Sequence, residues 1–366
     1  MTTCDFPLMD VLVEKATEKN IPLIAALELT HSCNVRCSHC YIVDDHQEEM
    51  SSQEIALVLD QLADMGTLFL SLTGGEILTR TDWFDIATYA RKKGFALRLL
   101  TNGTLITDEV ADKIKVLRPL SVEISLYGAN RSTHERITRV KGSYELTMNA
   151  FRLLRQRSIP TILKCPVIRE NVGEIRDIVS LAQKLDVEWM LDVMIFPKVD
   201  GCTEPFLHRA SDEGLRSFFS DMLSISNDHE PLEDFDPVVE YAKPKRRKGL
   251  CGAGLISCSI SPMGDVFPCL GWQEVLGNLR DKSFQEIWNS SDRLIELRSL
   301  SPLDVRVCRS CERSEHCARC PGISFLEDGD LLGPSHEACR IAKAKKGVIT
   351  SWQHPQEVRD PERKGM

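Results

Sequence analysis

Apolar residues in the first 227 positions follow two alternating rhythms. Short apolar runs stand at Leu23–Leu29, Thr67–Leu72, Ala96–Leu100, Ser121–Leu126, Thr161–Val167 and Trp189–Phe196. Such runs predict strands of a parallel sheet buried on both faces. Between them, apolar positions recur at helical spacing near Asp82–Lys93, Asp108–Lys115, Tyr144–Arg157, Val172–Leu185 and Asp212–Ile225. Boundary residues sharpen the pattern. Ser51-Ser52-Gln53-Glu54 reads as a capping box that opens a helix running to Met65. Gly94 is placed to end a helix, and Asn171 to cap one. Six strand–helix units predict an α/β fold with right-handed crossovers, better suited to a partial (βα)6 barrel than to a closed eight-fold one. Chemistry in such sheets gathers at the carboxyl ends of the strands.

The rhythm stops near Asp228. Residues 228–250 are polar and proline-bearing and read as a linker, ending in the basic run Lys243-Pro244-Lys245-Arg246-Arg247-Lys248. That run suits a solvated loop or a docking patch for an acidic segment. From Cys251 onward cysteines, glycines and turns dominate, with short helices expected at Phe284–Trp288 and Asp292–Leu297. The expected organisation is an N-terminal extension over 1–20, a barrel over 21–227, the linker, a cysteine-rich domain over 251–345 and a tail over 346–366, polar and loose from Trp352.

Composition narrows the class. An apolar share of 42% and a charged share of 27% are those of a globular protein, and a net charge of −9 argues against a general nucleic-acid binder. No apolar run approaches the roughly 18 residues that a membrane span needs. Met1–Asn20 mixes acids, lysines and short apolar pairs, unlike a signal peptide. Fourteen cysteines without an export signal point to thiolate ligands in a reducing cytoplasm, not to disulfides.

The cysteines carry the chemistry. Cys33, Cys37 and Cys40 share one short loop after the first strand. Three thiolates can hold three irons of a 4Fe–4S cube and leave the fourth open to a chelating small molecule, although the spacing alone also admits zinc. A strand then ends in Gly74-Gly75-Glu76, where glycines allow close backbone approach and a carboxylate suits an ammonium group; a plain strand-to-helix turn has the same look. Farther on come Cys251, Cys258 and Cys269, then Cys308, Cys311, Cys317, Cys320 and Cys339. Cys308, Cys311, Cys317 and Cys320 would by themselves suit a zinc ribbon.

Taken together, the cysteine loop and Gly74–Glu76 resemble the radical S-adenosylmethionine (radical SAM) superfamily, and the later cysteines resemble its SPASM extension. The resemblance runs from Leu23 to about Ala342. It implies that Cys33, Cys37 and Cys40 hold a cluster whose open iron chelates SAM. It also implies two auxiliary 4Fe–4S clusters, one on Cys251, Cys258, Cys269 and Cys320, the other on Cys308, Cys311, Cys317 and Cys339. Cys4, Cys165 and Cys202 remain unassigned. Gly74, Gly75 and Glu76 would contact the SAM amine, Asn102 and Ser125 its ribose, and Arg139 its carboxylate. The family's aromatic residue before the third cysteine is replaced by His39, with Tyr41 just beyond, as candidates at the adenine. Each of these polar residues also suits a simple strand end.

The implied reaction is reductive cleavage of SAM, giving a 5′-deoxyadenosyl radical that takes hydrogen from a substrate carbon. A low-potential donor, flavodoxin or ferredoxin, would supply the electron. The expected substrate is a ribosomally made peptide, to be oxidised, cross-linked or epimerised. The alternatives are a small molecule or tetrapyrrole as substrate, or a non-enzymatic electron-transfer protein. Leu270 stands where sulfatase-maturing members carry an aspartate base. About twenty residues before the first strand leave no room for a fused leader-binding domain, so a separate leader-binding protein is expected if one is used. Cys165 and Cys202 are candidates to return a hydrogen atom to a substrate radical, although such cysteines are more often small buried apolar groups.

Overall fold

The computed structural model describes residues 7–43, 47–228 and 249–353. Cys4, the basic run 243–248 and nearly all of the expected linker lie outside the described residues.

Six parallel strands build the barrel: β1 (Ile24–Glu28), β2 (Phe69–Thr73), β3 (Ala96–Thr101), β4 (Ser121–Ser125), β5 (Thr161–Pro166) and β6 (Glu188–Asp192). The helices between them include α2 (Ser52–Asp64), α3 (Trp83–Lys92), α4 (Asp108–Leu117), α6 (Ser143–Gln156) and α7 (Ile175–Leu185), with α8 (Asp212–Asp228) after β6. The Ser51–Glu54 capping box forms in both directions at the start of α2. Gly94 follows α3 with φ +94°, the left-handed conformation that a glycine adopts at little cost.

Four expectations change. Two helices had no apolar signal strong enough to read, α1 (Pro7–Lys19) and α5 (Arg131–Thr138). Asn171 does not cap α7; its amide donates to the Tyr127 and Pro166 carbonyls, and its oxygen accepts from Ile168 N. β6 ends at Asp192, short of the expected Phe196. The strands are not buried alike on both faces. In β3 and β5 buried residues alternate with half-exposed ones. The buried set, including Leu97, Leu99, Val122, Ile124 and Leu163, packs in the main core. The alternate set lines the other, barrel-interior face.

The cysteine-rich segment is not a separate layer. β7 (Ser257–Ile260) pairs in parallel with β1, and β8 (Asp265–Phe267) and β9 (Gly277–Asn278) follow antiparallel, giving the order β6-β5-β4-β3-β2-β1-β7-β8-β9. Helices at Phe284–Ser290 and Asp292–Ser299 stand where they were expected. The last helix, His336–Gln353, runs through the expected boundary at 345 and includes Trp352. Ile341 and Ala344 on it pack against Ala210 and Leu215 at the start of α8, and that apolar contact keeps it helical beyond the cysteines. Arg340 adds an ion pair to Asp212 at 2.9 Å. No helix among the described residues is long and apolar enough to cross a membrane.

Candidate active site

Loops at the carboxyl ends of β1 to β4 converge on the three-cysteine loop. The loop is pinned from below by α5, the helix that the sequence hid: Arg36 N donates to Thr138 O at 2.9 Å and Ser38 N to Ile137 O at 3.1 Å. Glu49 holds its start, accepting from Thr30 Oγ1 at 2.8 Å and His31 N at 2.7 Å. Arg80 donates to the Leu29 and Met50 carbonyls and pairs with Asp82.

The three thiols influence one another. Burial pushes Cys37 up to about 12, with Cys40 and Cys33 raising it further and a hydrogen bond from Tyr127 opposing them. Burial also raises Cys40 and Cys33. Thiols held this way stay protonated unless a cation takes the place of the proton, which is what an iron–sulfur core does.

Gly74 and Gly75 pack against the backbone of that loop. A Cβ on Gly74 would overlap Thr30 O, and one on Gly75 would overlap Ser32 O; Gly75 N and Glu76 N donate to those same carbonyls at 2.7 and 2.9 Å. Glu76 follows the two glycines at the end of β2. It is completely buried and accepts from Leu78 N, Thr101 Oγ1 and Asn102 N, so its side chain ties the β2 and β3 ends together. Burial raises its carboxyl above the usual range. Asn102 is equally engaged. Its amide donates to Asn34 Oδ1 at 2.9 Å and reaches Cys33 Sγ at 3.9 Å, while its oxygen accepts from Thr104. The Asn102 amide thus helps to position the cysteine loop, and the Glu76 carboxylate holds the Asn102 backbone behind it.

The remaining candidates are spread around the rim. His39 sits edge-on to Tyr127 at 4.9 Å between centroids, and burial lowers its pKa to about 4, so it is neutral. Tyr41 donates to Glu28 Oε1 at 2.7 Å. Ser125 ends β4 and hydrogen-bonds Tyr127. Arg139 is exposed in the left-handed conformation at the end of α5. Cys202 lies on an exposed turn, its N donating to Asp200. Cys165 is buried in the main core, on the face of β5 opposite Lys164, where Asn171 donates to its sulfur. It points away from the barrel interior, so its placement is that of a packing residue. Sequence reasoning missed Tyr127 and Glu49; neither stands in a motif, and only the fold brings them to the loop.

The later cysteines divide into two groups. Cys269 is raised by burial and by the charges of Cys320 and Cys251. Gly254 N donates to both Ser257 O and Pro268 O, which draws the Cys251–Cys258 loop against Cys269. Cys258 itself is buried in β7, and burial pushes it up to about 12. Cys317 instead feels Cys339, Cys308 and Cys311. Cys311 is lowered by hydrogen bonds from the Arg313 backbone and guanidinium. Among the described residues no three His, Cys, Asp or Glu side chains close on a single metal-ion position.

Residues 27–182 match the radical SAM superfamily model, and residues 251–321 match the SPASM model, an iron–sulfur cluster-binding domain. An AdoMet-dependent heme synthase of Methanosarcina barkeri is 30% identical, over 86% of this chain and 95% of its own. The subtilosin biosynthesis protein AlbA of Bacillus subtilis is also 30% identical, over 94% of this chain and 74% of its own. The chain belongs to the radical SAM superfamily. The mycofactocin maturase MftC of Mycolicibacterium smegmatis is 29% identical, over 86% of this chain and 82% of its own. Streptococcus suis SuiB, solved with its precursor peptide SuiA, shares the fold at a TM-score of 0.69 and 14% identity, covering 89% of this chain and 78% of that one. This radical SAM enzyme carries a SPASM domain, and its cofactors are 4Fe–4S clusters and SAM.

Proposed function

We propose that this radical SAM/SPASM enzyme modifies a ribosomally made peptide by abstracting hydrogen from one of its carbons. Cys33, Cys37 and Cys40 hold the SAM-binding cluster. Cys251, Cys258, Cys269 and Cys320 hold one auxiliary cluster, and Cys308, Cys311, Cys317 and Cys339 the other. What supports the assignment is that the charge of Cys320 helps to raise Cys269, whereas burial and the charges of Cys339, Cys308 and Cys311 raise Cys317. When bound, cluster and SAM supply a 5′-deoxyadenosyl radical. The chain's own part is positional. Glu76 and Asn102 fix the cysteine loop. The backbone of Gly74 and Gly75, with Ser125 and Arg139, surrounds the SAM amine, ribose and carboxylate. His39 and Tyr41 close the adenine end. A flavodoxin or ferredoxin brings the electron, and the reaction takes place in the cytoplasm.

Support for a peptide comes from the two relatives whose names describe maturation and bacteriocin biosynthesis. A tetrapyrrole substrate is the second reading, favoured by the heme synthase relative that this chain covers almost end to end. The test is anaerobic incubation of the loaded enzyme with SAM, a low-potential reductant and peptides encoded by short reading frames beside its gene. 5′-Deoxyadenosine together with a peptide two hydrogens lighter supports oxidation or cross-linking; deuterium uptake at unchanged mass supports epimerisation. 5′-Deoxyadenosine with every peptide untouched moves the reading to the tetrapyrrole.

A further inference from the structure

Arg298 is a largely enclosed cation that no carboxylate accompanies. It stands near the end of the helix Asp292–Ser299, which leans on the Cys251–Cys258 loop. The approach is close: a Cβ on Gly254 would come within 2.6 Å of the Leu294 side chain, one turn before Arg298. Arg298 Nε donates to Gly254 O at 2.9 Å and Nη1 to Trp288 O at 2.7 Å, and the guanidinium lies over the Trp288 ring at 4.6 Å. Both acceptors are neutral carbonyls. Nη2 is closed off from solvent and has no hydrogen-bond partner. Among the described residues no carboxylate pairs with this arginine. Burial alone lowers its pKa, to about 10, so it still carries its charge at neutral pH. Enclosing a cation in this way costs free energy unless an anion offsets it.

Two cavities flank the guanidinium. The wider one, about 440 Å³, takes in Glu18 and Asn20 and opens to solvent. Nη2, closed to solvent, does not face it. The narrower one, about 10 Å³, is shared by Arg298 and Cys251. It is at the limit of what one water fills, and a water needs at least two polar partners. The other side chains there, among them Leu250, Leu255, Trp272 and Leu297, offer few. The Trp272 indole N–H is already given to Glu274 at 3.2 Å. The anion that suits this cation therefore lies on the Cys251 side. When bound, a 4Fe–4S core held by four thiolates carries net negative charge and gains more on reduction. A guanidinium beside it favours the more negative, reduced state.

We propose that Arg298, directed at Cys251, raises the reduction potential of the first auxiliary cluster by setting positive charge and an N–H donor against its sulfur. Arg298 is thus a positioning residue. Nε and Nη1 fix the guanidinium on the cysteine loop, and Nη2 acts on the group which that loop holds. The inference rests on the proposed assignment of Cys251 as a ligand of that cluster, and it goes beyond that assignment in naming what tunes the cluster.

The test is a redox titration of the cluster-loaded enzyme followed by electron paramagnetic resonance, with iron counted on the same samples. Cys251→Ala identifies the signal: the one it removes, with about a third of the iron, belongs to the first auxiliary cluster. In Arg298→Gln that signal should keep its intensity. At a fixed potential its reduced-to-oxidised ratio should fall at least about tenfold, a shift of about 59 mV. Arg298→Lys should stay close to the unaltered enzyme, and the other clusters should not move. A signal that titrates alike in the unaltered enzyme and in Arg298→Gln overturns the inference, and so does an equal shift in every cluster. If Arg298→Gln loses the cluster, Arg298→Lys decides. A cluster retained there upholds the charge; a cluster lost there too means that Arg298 only braces the Gly254 and Trp288 carbonyls, which overturns the inference. A Cys251→Ala protein that keeps all its iron and every signal removes the ligand assignment, and the inference falls with it; the two failures are read on different variants.

Discussion

Two residues stand between Cys317 and Cys320, and their thiol surroundings differ: burial and then the charges of Cys339, Cys308 and Cys311 raise Cys317, whereas the charge of Cys320 helps to raise Cys269. The backbone is extended at both cysteines, and Cys320 is the N-cap residue of the helix that begins at Pro321. A four-cysteine zinc ribbon needs both on one metal; the proposed assignment puts them on two clusters.

Iron content should report that separation. Cys320→Ala and Cys269→Ala should each lose about one cluster of three, roughly a third of the iron, and the double variant should lose no more than either single. Cys320→Ala with Cys317→Ala should lose about two-thirds. Iron and sulfide analysis with electron paramagnetic resonance after anaerobic reconstitution reads this directly. Loss that adds for Cys269 and Cys320 would place them on different clusters.

Gly75 offers a test of the loop. Its missing Cβ leaves room for the Ser32 carbonyl, and its N–H holds Thr30 O. Gly75→Ala should push the cysteine loop outward, removing the SAM-site cluster while sparing the auxiliary ones. The expected signature is loss of 5′-deoxyadenosine formation with about two-thirds of the iron kept. Glu76→Gln should be milder in geometry but still destabilise by about 1–3 kcal/mol, because a buried acceptor for the Asn102 N–H, Thr101 hydroxyl and Leu78 N–H is replaced by an amide. Thermal unfolding of the metal-free protein measures it.

Much of this was legible in the chain. Apolar runs located all six barrel strands, and the capping box at Ser51 and the glycine after α3 fixed helix ends because those signals are local. Cysteine spacing located the site for the same reason. What stayed hidden depends on distant partners. α5 is polar except on the side that meets the cysteine loop. β7 is Ser-Cys-Ser-Ile, which reads as cluster loop until β1 is present to pair with it. The charges Arg98, Glu123 and Lys164 interrupt strands that otherwise read as buried on both faces; only the register places them on one interior wall. The hydrogen bonds of Glu76 to Thr101 and Asn102 were hidden too, because these partners reach its oxygens only once β2 and β3 are side by side.

Acid should weaken the fold through His134. Its ring is buried, stacks on Tyr127, and accepts from Tyr127 N at 3.2 Å through Nδ1. Burial lowers its pKa from 6.5 to about 4. A base whose folded pKa is depressed binds fewer protons folded than unfolded in that window, so its stabilising contribution is complete above about pH 6.5 and is lost as pH falls toward 4. The loss is on the order of 3 kcal/mol. Urea unfolding of the metal-free protein between these values should show the decline, and His134→Gln should flatten it; an unchanged slope would mean that another group carries the acid sensitivity.

Cys165 separates a packing thiol from a hydrogen-atom donor. Its sulfur lies in the core among β4, β5 and Asn171, on the face turned from the barrel interior, and burial raises it strongly. A donor must reach the substrate carbon, and this one is screened from it by the sheet itself. Cys165→Ala should therefore keep the product unchanged in kind and nearly unchanged in rate. The cost should be in stability, about 1–2 kcal/mol for a small cavity and the unpaired Asn171 amide. Cys202 stands on an exposed turn near the barrel mouth and is the one of the pair whose replacement can alter chemistry. If the reaction is an epimerisation, Cys202→Ala should still release 5′-deoxyadenosine but leave the peptide radical unquenched, seen as loss of deuterium uptake from heavy water. Full deuterium uptake in both single variants would exclude both cysteines, and loss of it in Cys165→Ala alone would mean that the sheet opens during turnover.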